Sequence, residues 1–375
     1  DDANVQTNAV TPDPLYLKML LTVTADAKSK AYGSADPALT YTLTSGALDG
    51  SDSITGALTR VAGKTVGAHE IQQGSLGTDP ATNYYMTYVA ANLTITQKVL
   101  TVTGLTGDNK IYDGTTDATA SGTAALDGVE SGDTVTLDGT PVFTFAQATV
   151  GTAIPITTTG YTLGGAHAAQ YYLQQPTLSG NITQKALSLV GLTAANKTYD
   201  GNTTATITSY GTTNGIVGSD DVAIDYSGAS AAFDTATVGN GKTVTLSGLG
   251  LTGTTAGNYS IANQTTTANI TAKEVTIGGT FTANDKVYDG GVSAVIGTNE
   301  LTLVGTNGGD TVTLSAVAAF ADKTVGTGKT VSLTGSSLAG ADAVNYTLSF
   351  TGAPTALANI TAKEVTIGGT FTAND

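Results

Sequence analysis

The chain has 375 residues, of which 47 are glycine, 12% are charged and none is cysteine or tryptophan, a composition unlike that of an average α/β enzyme. Its formal net charge of -15 would repel phosphate backbones and anionic bilayers, and no apolar run approaches the roughly 20 residues of a spanning helix, so we expect no nucleic-acid binding and no membrane insertion. The lack of Cys excludes a disulfide scaffold and CxxC chemistry.

An internal period organises the chain from its first strands onward. The pattern Lys-x-Tyr recurs at intervals of about 80 to 90 residues, with its tyrosines at Tyr32, Tyr112, Tyr199 and Tyr288. Thr-Val-Gly and then (Asn/Gln)-Tyr follow in every unit, the latter at Tyr84, Tyr171, Tyr259 and Tyr346. Each unit closes with Ile-Thr-x-Lys, at Lys98, Lys185, Lys273 and Lys363. Several independent motifs therefore define one repeat.

These motifs predict how the chain is divided. We expect an N-terminal extension or linker over 1–17, β domains over 18–97, 98–184, 185–272 and 273–362, and the first strand of a truncated fifth repeat over 363–375. Residues 362–375 repeat 272–285 letter for letter, which predicts that the natural protein is longer.

Within a repeat, β-branched or aliphatic residues alternate with polar ones, as in 133–137, 242–246 and 329–333. Clusters of Gly, Asn, Asp and Ser separate these segments, and no helical period is sustained. The sequence therefore predicts an all-β fold: a tandem array of small antiparallel β-sandwich, Ig-like domains that form an elongated rod.

The second tyrosine of each repeat fits a tyrosine corner, most fully in the segment from Asp342 to Leu348. In such a corner the hydroxyl bonds to nearby backbone, and the residue two positions later points into the core. The alternative is a tyrosine that starts a strand and serves packing alone.

The run Tyr-Asp-Gly predicts a tight turn, with Gly at positive φ, Asp bonded to its own backbone and a largely buried Tyr that anchors the turn to the core. It occurs at Tyr112-Asp113-Gly114, Tyr199-Asp200-Gly201 and Tyr288-Asp289-Gly290. An active site needs to be built once, whereas this motif occurs three times without a nucleophile system. His69 and His167 lie in unrelated positions. We expect neither an enzyme nor a cofactor.

Two other chemistries stay open as minor alternatives. Carboxylates at Asp49 with Asp52, at Asp133, at Asp220-Asp221 and at Asp310 could chelate Ca²⁺, although solvated turns explain them better. Intramolecular Lys–Asn isopeptide bonds would lower the intact mass by one ammonia per bond.

Lys-x-Tyr-Asp-Gly, Thr-Val-Gly and Asn-Ile-Thr-x-Lys together resemble the YDG repeat domain of filamentous-haemagglutinin-type giant bacterial adhesins. The first repeat, with Tyr32-Gly33 and Pro37 to Tyr41, resembles the companion mostly-β, glycine-rich (MBG) module of the Tyr-Gly-x type. The resemblance implies a secreted protein at the bacterial surface or in the extracellular matrix, with a role in adhesion and biofilms and without catalytic residues.

Two classes of function follow from this resemblance. The first is a structural stalk or spacer of an adhesin or extracellular fibre, whose partners are neighbouring repeats. The second is a set of modules that bind glycan, host protein or matrix polymer, with Tyr84-Tyr85 or Tyr171-Tyr172 as platforms. We also expect homotypic fibre contacts if the segment after Lys363 donates its strand to a neighbouring molecule.

Overall fold

The computed structural model describes residues 17–373, so the predicted N-terminal extension over 1–17 falls outside the described residues except for Leu17. The chain divides into two compact units, one ending at Thr183 and the other beginning at Gln184. Each unit contains two repeats, numbered here 1 to 4 in chain order. The described elements are strands and three single-turn 3₁₀ helices, which confirms the predicted all-β array. Within residues 17–373 no helix is long and apolar enough to cross a bilayer.

The strands of the first unit follow the repeat boundaries. Repeat 1 contains β1 (Met19–Ala25), β2 (Lys28–Ala31), β3 (Tyr41–Ser45), β4 (Ser53–Thr55), β5 (Thr59–Arg60), β6 (Gly67–Gln72), β7 (Gly77–Asp79), β8 (Tyr84–Val89) and β9 (Ala91–Thr96). Repeat 2 contains β10 (Lys98–Gly107), β11 (Lys110–Ile111), β12 (Asp117–Ala118), β13 (Ala120–Asp127), β14 (Thr136–Phe145), β15 (Gly151–Gly164), the 3₁₀ helix η1 (Ala168–Gln170), β16 (Tyr171–Gln174) and β17 (Thr177–Thr183).

The second unit is built in the same order. Repeat 3 contains β18 (Lys185–Val190), β19 (Thr193–Ala194), β20 (Lys197–Thr198), β21 (Ile207–Ser209), β22 (Thr212–Asn214), β23 (Ala223–Asp225), β24 (Ser230–Phe233), β25 (Gly239–Ser247), β26 (Gly250–Thr252), η2 (Ala256–Asn258), β27 (Tyr259–Ile261) and β28 (Gln264–Thr271). Repeat 4 contains β29 (Lys273–Ala283), β30 (Lys286–Val287), β31 (Ser293–Ala294), β32 (Ile296–Val304), β33 (Thr313–Ser315), β34 (Ala318–Phe320), β35 (Gly326–Ser332), β36 (Ser337–Ala339), η3 (Ala343–Asn345), β37 (Tyr346–Ser349) and β38 (Ala356–Thr361).

Every sheet among the described residues is made by strands of one repeat. A three-stranded sheet is centred on the first strand of each repeat, in the orders β3-β1-β8, β13-β10-β16, β22-β18-β27 and β32-β29-β37. A second sheet contains the last strand of each repeat, in the orders β2-β9-β6-β5, β11-β17-β15-β14-β12, β20-β28-β25-β24 and β30-β38-β35-β34-β31. The small two-stranded sheets are β4-β7, β19-β21, β23-β26 and β33-β36.

Most strand pairs are antiparallel, as predicted, but each repeat also contains two parallel pairs. In each repeat the first strand pairs parallel with the strand that begins at the second tyrosine, and the short Lys-x-Tyr strand pairs parallel with the last strand. Neither pair is a hairpin, because long stretches of chain separate its two strands. In the first of these pairs in repeats 2 to 4, the lysine of the Ile-Thr-x-Lys motif begins the first strand and lies opposite the second tyrosine of the same strand pair. Lys98 lies opposite Tyr171, and Lys273 lies opposite Tyr346.

Alternating side chains form the cores. In β1, Leu21, Val23 and Ala25 are buried while the residues between them are only partly buried. In each of repeats 2 to 4, one phenylalanine four residues before Thr-Val-Gly is buried, at Phe145, Phe233 and Phe320. Burying a side chain of this size stabilises by roughly 1.5–3 kcal/mol, so each small core depends on few residues.

The segment after Lys363 forms no strand within 363–373, and Asn374 and Asp375 lie outside the described residues. Its apolar residues Val365, Ile367 and Phe371 are fully exposed, although the identical residues Val275, Ile277 and Phe281 of β29 are core residues. In β29 the same residues pair with β32 and β37 of their own repeat, whereas residues 364–373 form no such pairs.

Candidate functional site: the joint between successive repeats

The joint starts from the Lys-x-Tyr motif, whose backbone belongs to its own repeat. The tyrosine N–H donates to a threonine carbonyl of the last strand, from Tyr32 to Thr96 (2.9 Å) and from Tyr199 to Thr271 (2.8 Å). Tyr288 makes the same bond to Thr361 at 2.9 Å. These tyrosines, called motif tyrosines below, are therefore held where one repeat ends and the next begins.

A lysine ammonium holds the turn that follows each Tyr-Asp-Gly tyrosine. Lys197 Nζ donates to the Asp200 carboxylate at 2.7 Å and to the Asn202 carbonyl at 2.6 Å, and it lies 5.6 Å from the ring centre of Phe233. The Asn202 N–H donates to Asp200, and Gly201 has φ +83°. Lys is needed because its ammonium has three N–H donors, and Asp is needed because its carboxylate accepts from the backbone of the turn. Gly is needed because the backbone at its position is left-handed.

The same arrangement of lysine, carboxylate and ring recurs in the neighbouring repeats. Lys110 bonds to Asp113 at 2.8 Å, and Lys286 bonds to Asp289 at 2.9 Å. Each ammonium also lies 5.6 Å from the centre of a buried phenylalanine ring, within the range of a cation–π contact. This contact gives a physical role to the phenylalanine that precedes Thr-Val-Gly.

The second part of the joint is an acceptor site, which we define as a four-residue turn ending in Asp together with the second tyrosine of the same repeat, called the corner tyrosine. In repeat 2 the Glu130 N–H donates to the Tyr171 hydroxyl at 3.0 Å, and that hydroxyl donates to Asp133 at 2.5 Å. The Asp133 N–H closes the turn onto the Glu130 carbonyl. Hydroxyl, carboxylate and backbone are thereby fixed to one another.

All four repeats build this acceptor site. The corner hydroxyl donates to an aspartate in Tyr84–Asp52 (2.7 Å), Tyr171–Asp133 (2.5 Å), Tyr259–Asp220 (2.6 Å) and Tyr346–Asp310 (2.5 Å). It accepts from the first backbone N–H of the turn at Asp49, Glu130, Val217 and Asn307. Because every contact lies inside one repeat, the site exists independently of a neighbour.

In unit 1 the motif tyrosine of repeat 1 completes the acceptor site of repeat 2. The Tyr32 hydroxyl donates to Asp133 at 2.9 Å, and its ring meets the Tyr171 ring edge-on with centres 5.4 Å apart. Gly33 lets the chain approach closely, since a Cβ there would lie 2.8 Å from Glu130 Cγ. Two tyrosines thus share one carboxylate.

Unit 2 contains the same joint between repeats 3 and 4. The Tyr199 hydroxyl donates to Asp310 at 3.0 Å, and the rings of Tyr199 and Tyr346 meet edge-on at 5.4 Å. Aromatic pairs in this geometry contribute about 0.5–1.5 kcal/mol beyond their buried area. One buried cluster runs from Phe233 and Ile270 of repeat 3 through Tyr199 to Val275 and Tyr346 of repeat 4. The cores of the two repeats are therefore continuous.

A second hydrogen bond flanks each tyrosine pair. The N–H of the valine in Thr-Val-Gly donates to the amide side chain that precedes the corner tyrosine, from Val66 to Gln170 (2.6 Å) and from Val238 to Asn345 (3.0 Å). This bond explains why the sequence repeats Thr-Val-Gly and (Asn/Gln)-Tyr together. The two motifs contact each other across consecutive repeats.

Electrostatics favour the neutral tyrosine in both joints and the charged aspartate in the joint of unit 1. Burial and the bond to Asp133 raise the pKa of Tyr171 to about 12, and burial and the bond to Asp310 raise the pKa of Tyr199 to about 12. The bonds from Tyr171 and Tyr32 hold the pKa of Asp133 below its ordinary value of 3.8. A carboxylate that accepts from two hydroxyls is stabilised in its charged form.

The predicted site residues separate into two groups. The motif tyrosines Tyr112 and Tyr199 are buried and Asp113, Gly114, Asp200 and Gly201 are exposed, but Tyr288 is 37% exposed, so its predicted burial is wrong. Within the described residues no fifth repeat covers Tyr288. Tyr199 packs on the core of its own repeat, as predicted, and on the next repeat as well.

The corner tyrosines differ from the tyrosine-corner prediction in their partners. The hydroxyl of Tyr346 bonds to Asn307 and Asp310, which are more than 30 residues away, and not to backbone a few residues upstream. The residues two beyond, Met86, Leu173, Ile261 and Leu348, are half-buried. Asp342 instead accepts from the Thr311 N–H at 2.8 Å. The recurrence of Asp52, Asp133, Asp220 and Asp310 at one repeat position was the sequence signal for the true partner.

Most of the carboxylates considered for Ca²⁺ have other partners. Asp52, Asp133, Asp220 and Asp310 accept from corner tyrosines, and Asp221 accepts from Thr254. Among residues 17–373 no group of three or more His, Asp or Glu side chains is placed to hold a metal ion. His69 faces the Thr65 carbonyl at 2.8 Å, and His167 accepts from the Thr134 N–H at 2.9 Å. Both histidines have structural contacts.

A cavity of about 370 Å³ opens beside the joint of unit 1. Lys30 and Arg60 line it, but both are paired with Asp36, at 2.6 Å each, and this pairing lowers the pKa of Asp36 to about 2. Lys64 and Glu130 line the same cavity. Lys30, Arg60 and Asp36 are thus matched inside repeat 1, and Glu130 is paired with Lys98 inside repeat 2.

Acidification should weaken the joint of unit 1. Because the folded pKa of Asp133 lies below its unfolded value of about 3.9, its contribution to stability is present above that value and is lost as the pH falls through the lowered pKa. We expect the unfolding free energy of wild type to fall more steeply below about pH 4 than that of Asp133→Asn. Denaturant titrations at several pH values measure the difference, and parallel curves for the two proteins would contradict the expectation.

Known domain families match this chain repeat by repeat. The YDG domain family model matches residues 96–178, 183–268 and 271–357, which is more than half of the chain. The chain belongs to the YDG domain family. Residues 21–94 of this YDG protein match the MBG domain (YGX type), so the predicted resemblance is confirmed for both modules. YDG and MBG domains are non-catalytic repeat modules typical of surface adhesins.

No curated protein matches this YDG protein. Among solved structures, Drosophila N-cadherin EC1-4 is similar at 5% sequence identity and a TM-score of 0.17, over 79% of this chain and 82% of that chain. A similarity of this size carries no argument about fold or function.

Proposed function

We propose that this YDG protein is a stalk or spacer segment of an exported bacterial adhesin or extracellular fibre, in which tyrosine joints couple repeat 1 to repeat 2 and repeat 3 to repeat 4. The supporting observation is that Tyr32–Asp133–Tyr171 and Tyr199–Asp310–Tyr346 have the same geometry in two separate units. A repeat that inserts a tyrosine into its neighbour and also has an acceptor site of its own can be duplicated in tandem without new contact residues. Stability then adds up over repeats and joints.

A stalk role also explains the contacts of the polar residues that recur in the motifs. Its polar motif residues bond to backbone, to turns or to the neighbouring repeat, and an enzyme would need at least one such group directed at a substrate. We therefore propose a non-enzymatic protein at the cell surface or in the extracellular matrix. Its immediate partners are its own repeats.

Distance measurements between spin labels on repeats 1 and 2 test the coupling. The chain has no native Cys, so the exposed Ser45 and Ser121 can be labelled through Ser45→Cys and Ser121→Cys. We expect a narrow distance distribution in the labelled protein. It should broaden with Tyr32→Ala and stay narrow with Tyr288→Ala. A broad distribution in the protein without either tyrosine substitution would overturn a rigid spacer.

Glycan binding is the second candidate, because one tyrosine in each repeat of unit 1 points outward. Tyr85 and Tyr172 are exposed, whereas their neighbours Tyr84 and Tyr171 are buried in acceptor sites. The predicted two-tyrosine platforms therefore reduce to single rings. A glycan array probed with wild type and with Tyr172→Ala discriminates the candidates, since a spacer binds no glycan and a lectin loses signal with the ring.

A further inference from the structure

Repeat 4 holds a lysine against an asparagine side chain in its acceptor site. Lys273 begins β29 and lies opposite Tyr346, whose hydroxyl accepts from the Asn307 N–H at 2.8 Å. This register brings the Lys273 Nζ to the Asn307 Oδ1 at 2.7 Å. For an ordinary hydrogen-bond angle, that contact places Nζ about 3.5 Å from the Asn307 Cγ, which is the separation of reacting atoms in a near-attack geometry.

The amide nitrogen of Asn307 is buried without a partner. The lysine ammonium only donates hydrogen bonds, so the amide oxygen must face it and Nδ2 points the other way. Nδ2 is fully buried there and has no hydrogen-bond partner within residues 17–373. Gly201 of repeat 3 covers it, since a Cβ at Gly201 would lie 3.4 Å from Nδ2. Buried donors are nearly always paired, so this unpaired one needs an explanation.

The other repeats have different residues at this pair of positions, which are the residue opposite the corner tyrosine and the first residue of the acceptor turn. Repeat 2 pairs Lys98 with the Glu130 carboxylate, an ion pair that leaves no donor unpaired. Repeat 3 has Val217 at the turn position, and repeat 1 has Met19 opposite Tyr84. Hydrogen bonding alone would favour a carboxylate beside the lysine. The asparagine of repeat 4 is explained better by the nitrogen that its amide can release.

We propose that Lys273 and Asn307 form an intramolecular isopeptide bond. Nζ bonds to Cγ, the bond from Cγ to Nδ2 breaks, and the two protons that the Lys273 ammonium loses leave with Nδ2 as an ammonium ion. The step needs no oxidant or further reactant, and it removes the unpaired nitrogen from the joint. Groups held at this separation have effective concentrations far above those of free solutes, which favours attack of the amine on the amide. The inference goes beyond the stalk role and does not rest on it.

Intact mass and peptide mapping of the purified chain test the bond. After incubation of the folded protein, we expect the chain to be one ammonia lighter than its sequence. Trypsin should then fail to cleave after Lys273, and residues 243–286 should be recovered joined to residues 287–323. Lys98 is the internal control in the same digest, because its partner Glu130 has no amide nitrogen to release. Cleavage after Lys98 should be normal.

Two substitutions keep the hydrogen bond and prevent the reaction. Lys273→Arg retains a donor for Oδ1 but replaces the amine with a guanidinium that stays charged, and Asn307→Asp retains the acceptor without the leaving nitrogen. Both variants should have the mass of their sequences. A wild-type chain of unchanged mass that is cleaved after Lys273 overturns the proposal. So does a loss of ammonia that persists in Lys273→Arg, which would indicate a cyclic imide between Asn307 and Gly308, or conversion of Asn307 to aspartate without a joined peptide.

Discussion

Replacing Tyr199 with alanine should lower the unfolding free energy of unit 2 by roughly 3–5 kcal/mol, whereas the same change at Tyr288 should lower it by less than about 1 kcal/mol. The two tyrosines have the same motif, the same backbone bond and the same lysine-centred turn. They differ in what covers them, because Tyr199 packs on Tyr346 and bonds to Asp310 while Tyr288 is 37% exposed.

Comparing the two variants separates the stability contributed by the joint from the stability contributed by the turn. If the motif tyrosine served only its own repeat, both substitutions would have similar effects. Denaturant unfolding of each variant gives the free energy and its dependence on denaturant concentration. We also expect Tyr199→Ala to split the transition of unit 2 into two, since it removes the buried side chain that connects the cores of repeats 3 and 4. Equal losses for the two variants would refute the joint as a source of stability.

Much of the fold follows from local sequence. Alternation in 242–246 and 329–333 predicts the strands that the structure has in β25 and β35, and Asp-Gly after tyrosine predicts the left-handed glycine at Gly201 and Gly290. These features depend on residues a few positions apart. The sequence period also predicts that each repeat forms its own sheets, because motifs in a fixed order imply one folding unit for each period.

The joint was not predictable in the same way. Tyr32 and Asp133 are about one hundred residues apart, and whether a tyrosine at a repeat boundary packs backwards or forwards depends on how two domains are oriented. Periodicity gives the position of a residue within a repeat but not the residue that it meets in the next one. The parallel strand pairs were missed for a related reason, since strands far apart in sequence form them without a hairpin.

The role of lysine in the motif was also missed. A lysine before Tyr-Asp-Gly suggests an exposed, solvated charge, yet Lys110, Lys197 and Lys286 have most of their side chains buried and direct the ammonium at carboxylates and carbonyls. The sequence signal was the near-constant distance from this lysine to one phenylalanine in each of repeats 2 to 4. A charge and a ring that recur together at nearly fixed separation within a repeat indicate a contact between them.

Removing the shared carboxylate should weaken the joint of unit 2 by roughly 1.5–3 kcal/mol, because Asp310→Ala leaves the hydroxyls of Tyr199 and Tyr346 without their acceptor. Asp52→Ala is the matched control, since the acceptor site of repeat 1 has only its own corner tyrosine within the described residues. We expect the control to lower stability by a smaller amount, because one hydroxyl and not two loses its partner.

A double-mutant cycle isolates the bond that crosses between repeats. Tyr199→Phe removes only that hydroxyl, so its effect in the wild-type protein and in Asp310→Ala gives the coupling energy of the pair. A coupling of about 1 kcal/mol or more is expected, because the acceptor is charged and the hydroxyl is largely removed from water. If Tyr199→Phe has the same effect in both backgrounds, the hydroxyl contributes nothing through Asp310, and the coupling between repeats 3 and 4 comes from ring packing alone.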